Sequence, residues 1–228
     1  MLHVVHQSSA GPGVFAEVAA GRGDTVDVWE PRQEGPPSVA AHDAVIVFGG
    51  SMNVDQDAEH AWLATERTWL EELIDRRVPV LGMCLGSQLL AQVAGASPGR
   101  ADQPEVGWHE VELCEEAHGD PLLGVLPERF PAFEWHEYES PLPPGAVPLA
   151  RSPRCLQAFR LDGPAWGLQF HAEVVRSSID RWLDEADPGE ADRPLVERET
   201  AARLADWNEL GRGICHRFLA EAEGPTRG

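Results

Sequence analysis

The sequence predicts an α/β fold, a doubly wound and mostly parallel sheet with antiparallel additions, and three observations carry this. Residues 2–6 and 78–82 are short, mostly apolar segments and 44–48 is an uninterrupted apolar run, as in strands buried in the centre of a parallel sheet. Between two of them, Trp62, Trp69, Leu70, Leu73 and Ile74 fall at helical spacings. Beyond residue 105 the runs shorten and turns separate them, as in strands that pair antiparallel.

Taken in order, residues 2–6 read as a strand. A Ser/Gly/Pro turn at 8–13 and a short helix through Ala20 follow. Residues 25–29 form a second strand, 31–37 a loop, and 43–48 a third strand broken by Gly49-Gly50-Ser51. A helix over 59–76, a strand over 78–82 and a helix over 85–94 complete a β-α-β-β-α-β-α order, which places helices on both faces of the sheet. Strands are then expected at 106–113, 130–135, 146–150, 155–160 and 165–170, and a helix from 176 to 183. Residues 184–193, acidic and carrying Pro188-Gly189, read as a surface linker. Pro194 suits the first turn of a last helix, in which Leu204, Trp207, Gly211, Ile214 and Phe218 form one apolar stripe. The expected organisation is one domain over 1–183, an acidic linker over 184–193, and a C-terminal helix and tail over 194–228 packed on the domain.

Composition narrows the function. With 228 residues, 43% hydrophobic and 25% charged, the chain has enough apolar material for a core. Its 18 basic and 38 acidic residues give a net charge of -20, which repels phosphate backbones and anionic lipids. Nucleic acid and membrane are therefore not expected partners. The N-terminal residues lack the basic and long apolar stretches of a signal peptide, and no run approaches a bilayer span. Cys84, Cys114, Cys155 and Cys215 form no CxxC pair, so neither zinc nor a disulfide scaffold is expected, and a reducing cytoplasm is the default location. No histidine spacing suggests a metal, and no cofactor motif is present.

Chemistry concentrates at Gly82-Met83-Cys84-Leu85-Gly86, a G-x-C-x-G elbow between a buried strand and a helix. The flanking glycines permit the tight turn, and the helix N-terminus favours a thiolate. Cys114, Cys155 and Cys215 have no such setting. A thiol nucleophile needs a base and the base an orienting group. His171 follows the apolar strand, and Glu173, two residues on, projects to the same side if the segment is extended. Gly49-Gly50-Ser51, at the end of another buried strand, frees backbone N–H groups for an oxyanion.

These residues resemble the class I (triad) glutamine amidotransferases, particularly free-standing relatives of the amidotransferase domain of GMP synthase. The resemblance rests on Phe48-Gly49-Gly50-Ser51-Met52-Asn53-Val54, the elbow through Gln88, Glu105-Val106-Gly107-Trp108, Glu134-Trp135-His136-Glu137-Tyr138-Glu139 and Gly167-Leu168-Gln169-Phe170-His171-Ala172-Glu173, in the family's order over about residues 1–183. It implies a flavodoxin-like core, with Cys84 as nucleophile, His171 as acid and base, and Glu173 as orienter. It further implies an oxyanion hole from the N–H groups of Gly50 and Leu85, and contacts to substrate from Gly49, Gln88, Trp135, Glu137 and Tyr138. His136 reads as structural. The sequence departs from the family at Ala172, where proline is usual, and at Ser51, where G-G-P is usual.

The implied activity is hydrolysis of L-glutamine to glutamate and ammonia, with ammonia delivered to a partner synthetase. A stand-alone hydrolase of γ-glutamyl compounds would use the same residues. A non-catalytic regulatory subunit on this scaffold would not need them intact. GMP synthesis by this chain alone is excluded, because 228 residues leave no room for a synthetase domain.

Overall fold

The structure, a computed structural model, describes residues 1–224. The tail 225–228, placed with the C-terminal helix by the sequence, lies outside the described residues. The elements in chain order are β1 (Leu2–Val4), α1 (Gly13–Arg22), β2 (Asp27–Trp29), β3 (Val45–Val47), α2 (Trp62–Asp75), β4 (Val80–Met83) and α3 (Leu85–Val93). After these come β5 (Gly99–Leu113), β6 (Arg129–Glu139), β7 (Val147–Arg151), β8 (Leu156–Arg160), β9 (Ala165–Leu168), α4 (Arg176–Glu185) and α5 (Arg193–Glu223).

The strands form one sheet in the order β2-β1-β3-β4-β9-β8-β7-β5-β6. The first five run parallel, in the 2-1-3-4-5 order of flavodoxin-like sheets when β9 is counted fifth. The last four pair antiparallel. Side-chain alternation sends Ile46, Phe48, Leu81 and Met83 into a core with α1, α4 and α5. Leu2, Val4, Val45, Val47 and Val80 go into a second core with α2 and α3. Beyond β9, His171 N–H donates to the Phe133 carbonyl at 2.9 Å, so the antiparallel edge strand β6 curls back to the end of the parallel half.

Two boundaries differ most from expectation. β5 begins at Gly99 rather than 106, with a register shift between Arg100 and Glu105. Residues 99–105 carry Arg100, Asp102, Gln103 and Pro104 and show no apolar alternation, so pairing with β6 alone defines them as strand. β6 continues to Glu139, placing Trp135 to Tyr138 on a strand. α5 starts with Asp192 accepting from the Leu195 N–H at 3.1 Å and Pro194 in its first turn. Among the described residues no helix is long and apolar enough to cross a membrane.

Candidate active site

Cys84 sits between β4 and α3 with φ 48° and ψ −108°, a conformation that costs a side-chain-bearing residue about 1–3 kcal/mol. Its two glycines are set by close approach. A Cβ on Gly82 would lie 2.6 Å from the Gly86 backbone, and one on Gly86 would lie 2.3 Å from the Val47 carbonyl oxygen. The Cys84 N–H donates to the Leu168 carbonyl at 2.8 Å, fixing the elbow to β9. Strand and helix thus leave the thiol at the carboxyl edge of the sheet, the usual position for chemistry in open α/β sheets.

His171 and Glu173 lie in the loop after β9, which ends at Leu168, so the pairing arises in a loop and not within an extended strand. His171 Nδ1 and Glu173 Oε1 are 2.8 Å apart, and both side chains are buried. The His171 ring meets the Trp182 ring edge-on at 4.7 Å. Burial opposes a charge on His171, but Glu173 and Cys84 outweigh it and hold its pKa well above the ordinary histidine value. α5 braces this loop from behind. Trp207 Nε1 donates to the His171 carbonyl at 2.9 Å, and Asn208 Nδ2 donates to the Val174 carbonyl at 2.7 Å. α1 adds the Val14 N–H on the Glu173 carbonyl at 2.9 Å.

Gly49 lies against both groups: a Cβ there would meet His171 Cε1 at 3.1 Å and Cys84 Cβ at 3.4 Å. Gly49 itself does not line the cavity, whereas Gly50 does. Among the described residues, the N–H groups of Gly50 and Leu85 make no hydrogen bond to backbone or side chain.

The cavity at Cys84 holds about 390 Å³, within the range of small-molecule sites. Gln88, Trp135, Glu137 and Tyr138 all line it. Gln88 is buried and already engaged, with Nε2 donating to the Tyr138 carbonyl at 3.0 Å and to Gln169 Oε1 at 3.2 Å. The Trp135 carbonyl lies 3.9 Å from Cys84 Sγ. Glu137 pairs with Arg100 at 3.2 Å, and the Tyr138 hydroxyl donates to Asp55 at 3.1 Å.

The sequence reading missed two features. The last residue of α4 and the segment after it, expected to be a plain surface linker, form one wall of the cavity through Glu185, Ala186, Asp187 and Glu190. The segment remains largely exposed, so composition describes its solvation correctly but not its place at the mouth. Among the described residues, no lysine or arginine lines the cavity. In the cavity wall, His136 Nε2 faces Glu134 at 3.3 Å and Glu105 at 3.4 Å, while Nδ1 donates to the Tyr138 carbonyl at 2.9 Å. Burial would neutralise His136, but the two carboxylates raise its pKa to about 10. Glu105, His136 and Cys155 bring three metal-capable donors within 4.8 Å of one another. Glu105 Oε2 is already bonded by Ser152 at 3.1 Å and Gln157 at 2.7 Å, and the His136 contacts are those of an ion pair.

A thiol on a strained elbow, a buried His–Glu pair and N–H groups free among the described residues lie together beside a cavity on a doubly wound sheet, the kinds of group that acyl transfer requires. Residues 19–183 match the glutamine amidotransferase class-I family, and the chain belongs to that family. It is 26% identical to the glutamine amidotransferase-like protein YfeJ of Salmonella typhimurium, over 96% of this chain and 95% of that protein. One component of the glutamine-hydrolysing GMP synthase of Pyrococcus abyssi is 38% identical over 111 residues, 47% of this chain and 57% of that component. A glutamine amidotransferase from Methylobacillus flagellatus has a similar structure, with a TM-score of 0.89 at 26% identity over 100% of this chain and 98% of that one. Another, from Thermotoga maritima, gives 0.87 at 26% identity over 96% of each.

Proposed function

We propose that this protein hydrolyses the γ-amide of L-glutamine to glutamate and ammonia, and passes the ammonia to a partner synthetase. The observation that carries the reading is Cys84 at the elbow beside the buried His171–Glu173 pair, with the N–H groups of Gly50 and Leu85 unengaged among the described residues. Cys84 Sγ attacks the amide carbon after its proton passes to His171. The carbonyl oxygen gains negative charge and is received by the two N–H groups. His171 returns the proton to the leaving amine, ammonia departs, and a γ-glutamyl thioester remains. Water, deprotonated by His171, attacks the thioester; glutamate leaves and the thiol is restored. Glu173 keeps the ring oriented and balances its positive charge. Gln88, Trp135, Glu137 and Tyr138 form the substrate-side wall. Several relatives are named as GMP synthase subunits, which supports a synthetase as the ammonia's destination. Four free thiols accord with a cytoplasmic setting.

One observation favours a second reading. Glu185, Asp187 and Glu190 ring the mouth without a lysine or arginine among the described lining residues, a setting that attracts cationic groups and repels anionic ones. A stand-alone hydrolase here would take γ-glutamyl amides of cationic amines rather than glutathione-like peptides. The deciding experiment is steady-state turnover of glutamine against γ-glutamyl amides with cationic, neutral and anionic leaving groups, with and without candidate synthetases. Mass spectrometry after a glutamine-like electrophile checks that Cys84 is labelled. Turnover of none of these substrates, with Cys84 unlabelled, would leave the regulatory-subunit reading.

A further inference from the structure

A further buried His–Glu pair lies behind the Gly49-Gly50 turn, and the reaction above does not use it. His6 follows β1 and Glu66 lies on α2, sixty residues apart in sequence. Both side chains are fully buried. His6 Nε2 stands 3.0 Å from each Glu66 oxygen. His6 Nδ1 stands 3.0 Å from the Phe48 carbonyl oxygen and 3.2 Å from that of Gly49. Carbonyl oxygens only accept, so Nδ1 carries a proton and donates to them. The Trp62 ring stacks on His6 at 5.4 Å, fixing its plane.

The consequence falls on one peptide group. In a trans peptide the C=O and the following N–H point in opposite directions. With the Gly49 carbonyl drawn to His6, the Gly50 N–H is turned away from His6. The next peptide is fixed as well, because the Ser51 N–H donates to Gln7 Oε1 at 3.0 Å. Space is equally constrained: a Cβ on Gly50 would lie 3.0 Å from His6 Cβ and 3.1 Å from Leu85 Cδ2. The turn is thus held between the end of β1 and the elbow, and two glycines that could flip freely have one orientation selected.

Stability does not account for the pair, since a buried ion pair replaced by apolar groups of similar volume is often neutral or stabilising. On the glutaminase reading above, we infer that His6, held by Glu66, is a positioning residue that sets the Gly49–Gly50 peptide so that the Gly50 N–H faces the oxyanion at Cys84.

The test compares two double variants with the full chain. His6→Leu with Glu66→Leu removes the donor without leaving a buried charge. His6→Asn with Glu66→Gln places an amide N–H near the position of Nδ1. The leucine pair is expected to lower kcat by about 10²–10³, the cost of one oxyanion donor. KM for glutamine and the rate at which iodoacetamide alkylates Cys84, which needs no oxyanion donor, should stay within about threefold of wild type. The Asn/Gln pair should recover about tenfold or more of the lost kcat. A crystal structure of the leucine pair should show the Gly49 carbonyl turned from its present direction. An unchanged kcat, an equal loss in alkylation, or an unmoved Gly49–Gly50 peptide would each overturn the inference. If the wild type turns over neither glutamine nor any γ-glutamyl amide, the functional reading fails, and the peptide's orientation in the variant still decides the positioning role.

Discussion

Gly211→Ala tests whether α5 holds the active-site loop. Gly211 faces the Ala172 carbonyl, and a Cβ there would lie 2.0 Å from that oxygen, 3.1 Å from its carbon and 3.4 Å from Val14 Cγ2. Real Cβ contacts essentially never fall below 3.0 Å, and the opposing atom is backbone, so helix and loop must part by about 1 Å. The bonds from Trp207 to the His171 carbonyl and from Asn208 to the Val174 carbonyl, now 2.9 Å and 2.7 Å, would stretch beyond hydrogen-bonding range. Each contributes about 1 kcal/mol net, and an unpaired buried carbonyl costs about 1–3 kcal/mol. The expected destabilisation is about 2–4 kcal/mol, or a fall in Tm of about 5–15 °C for a chain of this size. His171 and Glu173 ride on the displaced loop, so kcat/KM should fall about 10²-fold, the cost of a 1 Å misplacement. Gly213→Ala is the matched control. Among the described residues nothing lies within 4 Å of the Cβ it would add, and removing a helical glycine should stabilise by about 1 kcal/mol. The assays are thermal denaturation and ammonia release. Equal Tm and activity in the two variants would refute the bracing role of α5.

The remaining predictions concern the site. Cys84→Ala should abolish ammonia release while Cys114→Ala, Cys155→Ala and Cys215→Ala retain it, measured on the four purified variants. Glu173→Gln should cost less kcat than His171→Ala, and the double variant should lose no more than the worse single one, because such groups act as a unit; additive losses would speak against the arrangement. The raised pKa of His136, about 10, means the folded state holds a proton that the unfolded state releases near 6.5. Its stabilisation is complete below about pH 6.5 and is lost as pH climbs toward 10, so the Tm of wild type should decline across that window. In His136→Gln the decline should be shallower, and an identical pH profile would contradict the charged ring. Asp187→Asn with Glu190→Gln should raise KM for γ-glutamyl amides of cationic amines at low salt and leave it nearly unchanged for glutamine, read by steady-state kinetics at two ionic strengths.

How much of this was legible depends on the range over which each feature is encoded. The elbow is legible because both glycines stand beside Cys84 in sequence and Gly82 packs on Gly86 itself, although Gly86 is also set by the distant Val47 carbonyl. The parallel half is legible for the same reason, because its strands are apolar runs with helices between them. The start of β5 is not, since Arg100, Asp102 and Pro104 carry no strand pattern and acquire it only by pairing with β6. His6 and Glu66 are each ordinary in sequence and become a pair only when β1 and α2 pack. Trp207 and Gly211 fall on an apolar stripe that the sequence shows, but a stripe records burial and not which loop is buried. The segment around Asp187 has the composition of a linker, and only the course of the chain from α4 to α5 brings it to the cavity.

The placement of charge ties these pieces together. A chain with a net charge of -20 surrounds Cys84, whose proposed nucleophilic form is also an anion, so the proposed chemistry calls for cations supplied locally. They come from three buried histidines, each matched to buried glutamates: His171 with Glu173, His136 with Glu105 and Glu134, and His6 with Glu66. Burial opposes the charge on each ring, and in each case the glutamates help raise the pKa above the ordinary value. The three pairs sit at different removes from Cys84. His171 faces the thiol, His136 lines the same cavity, and His6 reaches the site only through the Gly49 carbonyl. A buried imidazolium–carboxylate pair is a directional object: acceptors of known place fix His6 at both ring nitrogens and His136 and His171 at Nδ1. In this protein the pairs therefore define where a proton sits and which way a peptide points. A uniformly apolar core would pack as well and specify neither.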